Sequence, residues 1–439
     1  MQFGYAVLKP KIDPATKNRQ TELFPDARPL LSSFIDPSHS LVQMADRIEW
    51  EVFDRYWDQQ FSLAGGPEAK PGRLVSGLLI LKHMEALSDE RLMEAWLSNP
   101  YYQYFCGETQ FQHKPPADPS SLTYWRQRLD EEGLEWILSM VLDSAVSSDA
   151  LDKKSMAHLC VDSTVMEKNI AHPTDSQLLE KCRVQLVDSL KGNGLYLRQS
   201  YAREGPRLSQ KVGRYAHAKQ FKRMRRGIKK QCTWVGRLMR ELKRQLNQLP
   251  KSQQALAKHR IAQAQQLIHQ AKHPRSKNKL YALHEPQVDC ISKGKAHKRY
   301  EFGTKVGIAC TQKEGFVVGI RSFPGNPYDG HTLDEQLEQA KILSGIDAKT
   351  VAVDLGYRGR HTTKADIIHR GRKLSKRQKR RLKRRSMIEA MIGHMKNDGL
   401  MGRCHLKGLK GDACHALLCG IGHNLRLLRA FLKRLSFWL

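Results

Sequence analysis

The 439-residue chain lacks any long apolar stretch. Its best runs, Leu74–Leu81 and the broken Ala416–Leu435, fall short of the roughly 20 residues that a membrane-spanning helix needs. It also lacks paired cysteines: the nine, at 106, 160, 182, 232, 290, 310, 404, 414 and 419, are odd in number and scattered, so a reducing compartment is expected rather than a disulfide framework. The opening residues MQFGYAVLKPKIDPATKNRQ show neither a basic segment followed by an apolar one nor an Arg/Ser-rich amphipathic pattern. Secretion and organelle import therefore lack support, and a soluble cytoplasmic protein is expected. Internal repeats are absent. Acidic residues are scarce: 44 Asp and Glu stand against 74 Lys and Arg, a formal charge of +30 that calls for a polyanionic partner.

The charge is unevenly placed. Residues 1–150 hold 14 Lys/Arg and 22 Asp/Glu, a net of −8, which leaves +38 on residues 151–439. The polyanion belongs mainly to the second part. Residues 40–149 read as short helices joined by turns, after an N-terminal arm of residues 1–39. Leu41–Phe61 and Arg73–Leu87 carry apolar residues at helical intervals, and Ser88 offers an N-cap followed by Asp89 and Glu90. A loop over His113–Pro119 leads to the segment Ser120–Leu129, which bears Tyr124, Trp125, Arg126 and Arg128. Short helices ending in an Arg/aromatic helix resemble a helix-turn-helix reader of DNA, with Arg126 and Arg128 as candidate contacts; a plain bundle with Trp and Tyr in its core is the other reading.

From residue 150 the pattern becomes α/β. Leu159-Cys160-Val161 and Val351-Ala352-Val353 are apolar, strand-like runs leading to Asp162 and Asp354, where an open sheet places its chemistry. Further strands are expected at Val288–Ile291, Tyr300–Thr311, Phe316–Phe323 and Thr350–Asp354, with a helix at Leu333–Leu343. Between the first strand and the rest, residues 176–282 form a helical insertion in which 15 Lys/Arg face two acids, Glu204 and Glu241, over residues 203–244. Such density of one sign favours phosphate contact.

The run from about Ser375 to Lys396 is compatible with one helix, and helical geometry brings Arg385, Glu389 and Lys396 onto one face. Ten Lys/Arg among the fourteen residues Arg372–Arg385 adjoin it. An acid flanked by cations suits a metal ligand whose neighbours hold phosphate oxygens, although Arg385–Glu389 also reads as a simple i,i+4 pair.

Asp162-Ser163-Thr164, Asp354-Leu355-Gly356-Tyr357-Arg358-Gly359 and Arg385-x3-Glu389-x6-Lys396 together resemble the three signature regions of DDE transposases of bacterial insertion sequences, in the insertion sequence five group. The spacing of 35 residues from Asp354 to Glu389, the stretch Pro324–Thr332 and the helical N-terminal region are similar to that family too. One position departs: Leu382 stands where the family often has Tyr. The resemblance implies a ribonuclease-H-like mixed sheet with flanking helices and a helical insertion after the first strand, preceded by an all-helical domain. It further implies that Asp162, Asp354 and Glu389 are the catalytic, metal-holding residues for two Mg²⁺ ions, with Mn²⁺ able to substitute. Element ends and target DNA would be the partners, engaged by a homo-oligomer at the bacterial nucleoid.

Arg385, Lys396 and Arg358 are the candidate DNA contacts within those motifs, and Lys293 and Lys295 before the Tyr300 strand are two more. The C-terminal Cys404-His405, Cys414-His415, Cys419 and His423 lack a Cys-x2-Cys pair and read as core of an apolar helix. Asp175 reads as a turn or cap residue. Two other functions compete with the transposase: a catalytically inactive DNA-binding protein, which the presence of all three acids opposes, and a metal-dependent nuclease on the same core.

Overall fold

The computed structural model describes residues 28–60, 69–292, 298–359, 364–371 and 373–436. Helices come first: α1 (Ser40–Arg47), α2 (Trp50–Asp58), α3 (Gly72–Met84), α4 (Asp89–Ser98), α5 (Pro100–Phe105) and α6 (Ser121–Ser147). Then follow β1 (His158–Lys168), α7 (Asp175–Lys191), α8 (Glu204–His217), α9 (Phe221–Arg244), α10 (Lys251–Lys272), β2 (Asp289–Ile291), β3 (Glu301–Thr311), β4 (Val317–Phe323) and α11 (Asp329–Ser344). The chain ends with β5 (Thr350–Ala352), β6 (Asp366–Ile368), α12 (Lys376–Lys383), α13 (Ser386–Asn397), β7 (Arg403–Cys404) and α14 (Gly408–Ser436). The protein is mixed α/β, in two compact units: residues through Glu167 and from Thr304 on, and the intervening Lys168–Gly303.

In the larger unit β3, β1, β5 and β6 are successive neighbours, with β4 pairing antiparallel to β3 and β7 pairing β1. The β1–β5 and β5–β6 pairs are parallel. Parallel strands are buried on both faces, which explains why Leu159-Cys160-Val161 and Val351-Ala352-Val353 are continuously apolar. Two helices complete the core. Leu74, Val75, Leu78, Leu79 and Leu81 of α3 are buried, as are Leu417, Leu418, Ile421, Leu425 and Leu428 of α14. The middle of α14, residues 412–425, is buried throughout, while its two ends are exposed. The two helices cross closely at Gly422, where a Cβ would stand 2.6 Å from the carbonyl oxygen of His83. No helix among the described residues is long and apolar enough to cross a membrane.

Capping residues end the helices where the sequence places them. Ser88 accepts from the Arg91 amide, and Asn99 caps α5 ahead of Pro100 at its first turn. Three expectations change. The periodic segment 41–61 is two helices, broken where Ile48 takes an extended conformation. Ser120–Leu129 opens a helix that runs on to Ser147 with a kink at Asp130 (φ 48°, ψ −158°), and its Trp125 is buried while Tyr124 is exposed. The run 375–396 is two helices, α12 and α13, joined at Arg384 and Arg385 by a turn closed with i to i+3 bonds.

The smaller unit packs α7 to α10 around Leu186, Leu190, Val235, Leu242, Ala264 and Leu267. With those residues inward, the opposite face of α8 and α9 exposes Arg207, Lys211, Arg214, Lys222, Arg225, Arg226 and Lys229. Thr174, rather than Asp175, caps α7; Asp175 accepts a hydrogen bond from Gln270 at 3.0 Å.

Candidate active site

The parallel register of β1 and β5 pairs His158 with Thr350, Leu159 with Val351 and Cys160 with Ala352. The pairing ends there; Asp162 lies two residues further along β1, and Asp354 lies two residues beyond the end of β5. Asp162 is inside β1, not at its end as the sequence predicts, because the strand continues to Lys168 beside β3 after β5 has stopped. Asp354 is at the mouth of β5 and is exposed.

Glu389 comes from α13, on whose buried side Ile388, Met391 and Met395 insert into the main core. Arg385 links two of the acids: one guanidinium nitrogen lies 3.4 Å from Asp162 Oδ2, and another lies 2.8 Å from Glu389 Oε1. Lys396, about three turns beyond Arg385, donates to the Val165 carbonyl at 2.7 Å. The helix is thus fastened to β1 at two points. Leu382, at the position that departs from the family pattern, packs against the same core.

Beneath the acids lies Tyr357, fully buried; burial above all, then the charges of Asp329 and Asp162, pushes its phenol well above its ordinary pKa. Asp329 begins α11 and is paired with the buried Lys305 at 3.0 Å. Tyr357, Asp329 and Lys305 adjoin the candidate site and were not singled out by sequence reasoning, although the motifs Asp354–Gly359 and Pro324–Thr332 contain the first two. Arg381 of the basic run is not simply solvated: it donates to Thr350 Oγ1 and lies 3.1 Å from the His158 ring nitrogen, at the opposite end of the same strands.

The donor chemistry fits a hard divalent cation, since the three acids offer only carboxylate oxygens. The charge pattern fits as well, because Arg385 already sets a positive charge between Asp162 and Glu389. Among the described residues the acids are not gathered within 4.8 Å of one another as ligand atoms; a different cluster is. Two other acids are committed elsewhere. Glu285 pairs with Lys168 at 3.1 Å within the smaller unit, and Asp398 pairs with His394 at 2.6 Å.

The candidate DNA contacts fare unequally. Arg358 is exposed beside the site. Arg128 is half-buried and donates to the Gln60 carbonyl at 3.1 Å. Arg126 must be corrected: it is buried and grips Asp89 with two hydrogen bonds of 3.0 and 2.9 Å, so its guanidinium is a structural group of the helical domain with no face turned to phosphate. Lys293 and Lys295 lie outside the described residues.

The helical region and the α/β core after it mark a transposase by their likeness to known domains. Residues 29–128 match the family described as a transposase domain (DUF772), and residues 282–425 match the transposase DDE domain, a span that includes Asp354 and Glu389. The chain is also 42% identical over 202 residues to an uncharacterized protein, ORF8 in the nfe locus of Rhizobium meliloti, covering 46% of this chain and 96% of that protein. This chain belongs to the DDE transposases of insertion sequences. No solved structure matches it.

Proposed function

We propose that this transposase cuts DNA at the ends of its element and joins the freed 3′-OH to target DNA, using Asp162, Asp354 and Glu389 in a ribonuclease-H-like core. The observation that carries this reading is Arg385 spanning Asp162 and Glu389, with Asp354 two residues beyond the strand that pairs with β1. Bound at these carboxylates, Mg²⁺ ions, or Mn²⁺ in their place, would activate the attacking oxygen and stabilise the leaving oxygen of an in-line phosphoryl transfer. Arg385 orients the acids before DNA arrives, and its planar fork suits a phosphate once Glu389 is released. Lys396, held at β1, and the exposed Arg358 position the strand beside the acids. Tyr357 and the Lys305–Asp329 pair keep the floor of the site dry and fixed.

The remaining parts divide the recognition. The basic face of α8 and α9 holds the DNA backbone without regard to sequence, while residues 40–149, acidic overall, read the element ends with the exposed Tyr124 and with Arg128. Two or more copies act together on paired ends, in the bacterial cytoplasm. Mg²⁺-dependent nicking of a labelled element end, run beside a gel shift on the same DNA, tests the proposal. Cleavage by Asp162→Asn, Asp354→Asn and Glu389→Gln proteins alike would discard it.

A further inference from the structure

A second constellation lies in the core of the larger unit, apart from the acids. His83 is on α3, and His415 and Cys419 are one turn apart on α14; their ligand atoms all lie within 4.8 Å of one another. More than 330 residues of sequence separate the first histidine from the second. The sequence has no zinc-like spacing because the third partner comes from a different helix.

All three side chains are buried, and the two imidazole rings meet edge to face at 5.7 Å. Each ring is anchored through one nitrogen to a backbone carbonyl. His83 Nδ1 lies 3.0 Å from the Leu79 oxygen, and His415 Nε2 lies 2.9 Å from the Leu400 oxygen. A carbonyl only accepts, so the anchored nitrogens carry the protons, and in His83 the lone pair is left on Nε2. Metal-ligating histidines are set in this way by carbonyl partners behind them. His83 Nε2 has no hydrogen-bond partner although it is sealed from water, a costly arrangement in a core otherwise filled with Leu, Ile and Met.

We propose that His83, His415 and Cys419 form a buried zinc site that clips α3 of the helical region to α14. Two imidazoles and one thiolate match the preference of zinc for nitrogen and sulfur. As the S–Zn bond forms, the thiol gives its proton to solvent. The close crossing at Gly422 and the hydrogen bond from Arg426 to the His83 carbonyl, 2.8 Å, hold the two helices in the register that the site needs.

The test uses the full-length protein, stripped with a chelator and then given Zn²⁺ or Co²⁺ alone. After gel filtration the wild type is expected to retain about one zinc per chain, and the cobalt form to show a thiolate-to-metal charge-transfer band. His83→Gln and Cys419→Ala should lose the zinc and the band. Cys414→Ala, a buried cysteine on the same helix outside the cluster, should keep both, and Asp162→Asn should keep both, which separates this site from the acids. A wild type that holds no zinc after stripping and reloading, or a cobalt form without the thiolate band, overturns the proposal whether or not any variant folds. So does zinc retained in full by the folded His83→Gln, Cys419→Ala double variant.

Discussion

His158 pairs with Thr350 across the parallel strands β1 and β5 although 192 residues part them, and Asp162 and Asp354 each follow four residues later. Asp162 is held inside β1, whereas Asp354 follows β5 by two residues. Replacing either by Asn, or Glu389 by Gln, is expected to lower Mg²⁺-dependent nicking by at least about a hundredfold, with duplex affinity changed by less than about threefold. Single-turnover cleavage and a gel shift on one labelled end measure the two effects together.

Arg385 occupies the place of a cation between Asp162 and Glu389. Its removal in Arg385→Gln should let Mg²⁺ bind the acids without a competitor, so less Mg²⁺ is needed for half-maximal nicking, while the rate at saturating Mg²⁺ drops about tenfold or more for want of a phosphate contact. A Mg²⁺ titration of nicking reads both, and a rise in the Mg²⁺ requirement would contradict the bridging role.

Arg126 and Asp89 make a stability prediction instead of a binding one. Arg126→Met strands Asp89 without its bidentate partner and should cost about 3 kcal/mol in urea unfolding, leaving DNA affinity per folded molecule unchanged. Burial works to raise the Asp89 pKa, but the Arg126 hydrogen bonds and the Lys82 charge outweigh it and hold the carboxyl below its ordinary value. A carboxyl depressed in the folded state contributes stability above its unfolded pKa, about 3.9, and loses it as pH falls through the lowered folded value. The gap between wild type and variant should therefore be full at pH 7 and shrink below about pH 4.

DNA affinity should fall steeply with salt, because each phosphate neutralised by the basic face releases counterions. Changing Lys222, Arg225, Arg226 and Lys229 of α9 to Gln together should make the log–log salt slope shallower by roughly 2 to 4 and weaken random and element-end duplexes alike. An unchanged slope would move the phosphate contacts to another surface.

Much of this was legible without coordinates. The strands around Val288–Ile291, Tyr300–Thr311 and Phe316–Phe323 correspond within a residue or two to β2, β3 and β4, since β-branched runs between turns carry their own signal. The brief strands β6 and β7 escaped, because three residues and two residues hold no periodicity to read. Trp125 and Arg126 were ambiguous for a different reason. A helix with one Arg and one Trp turned inward differs from a DNA-reading helix only in what it packs against, and Asp89, which decides the matter, lies 37 residues earlier.

By itself the sequence determined the overall excess of positive charge and the order of helices and strands, because local composition and short spacing carry these. Tertiary structure alone decided that Asp162 lies within its strand, that Arg385 spans two carboxylates, and that His83 meets His415 and Cys419. Each of these depends on side chains far apart in the chain being brought within a few ångströms, and register and helix crossing set such distances where spacing along the sequence does not.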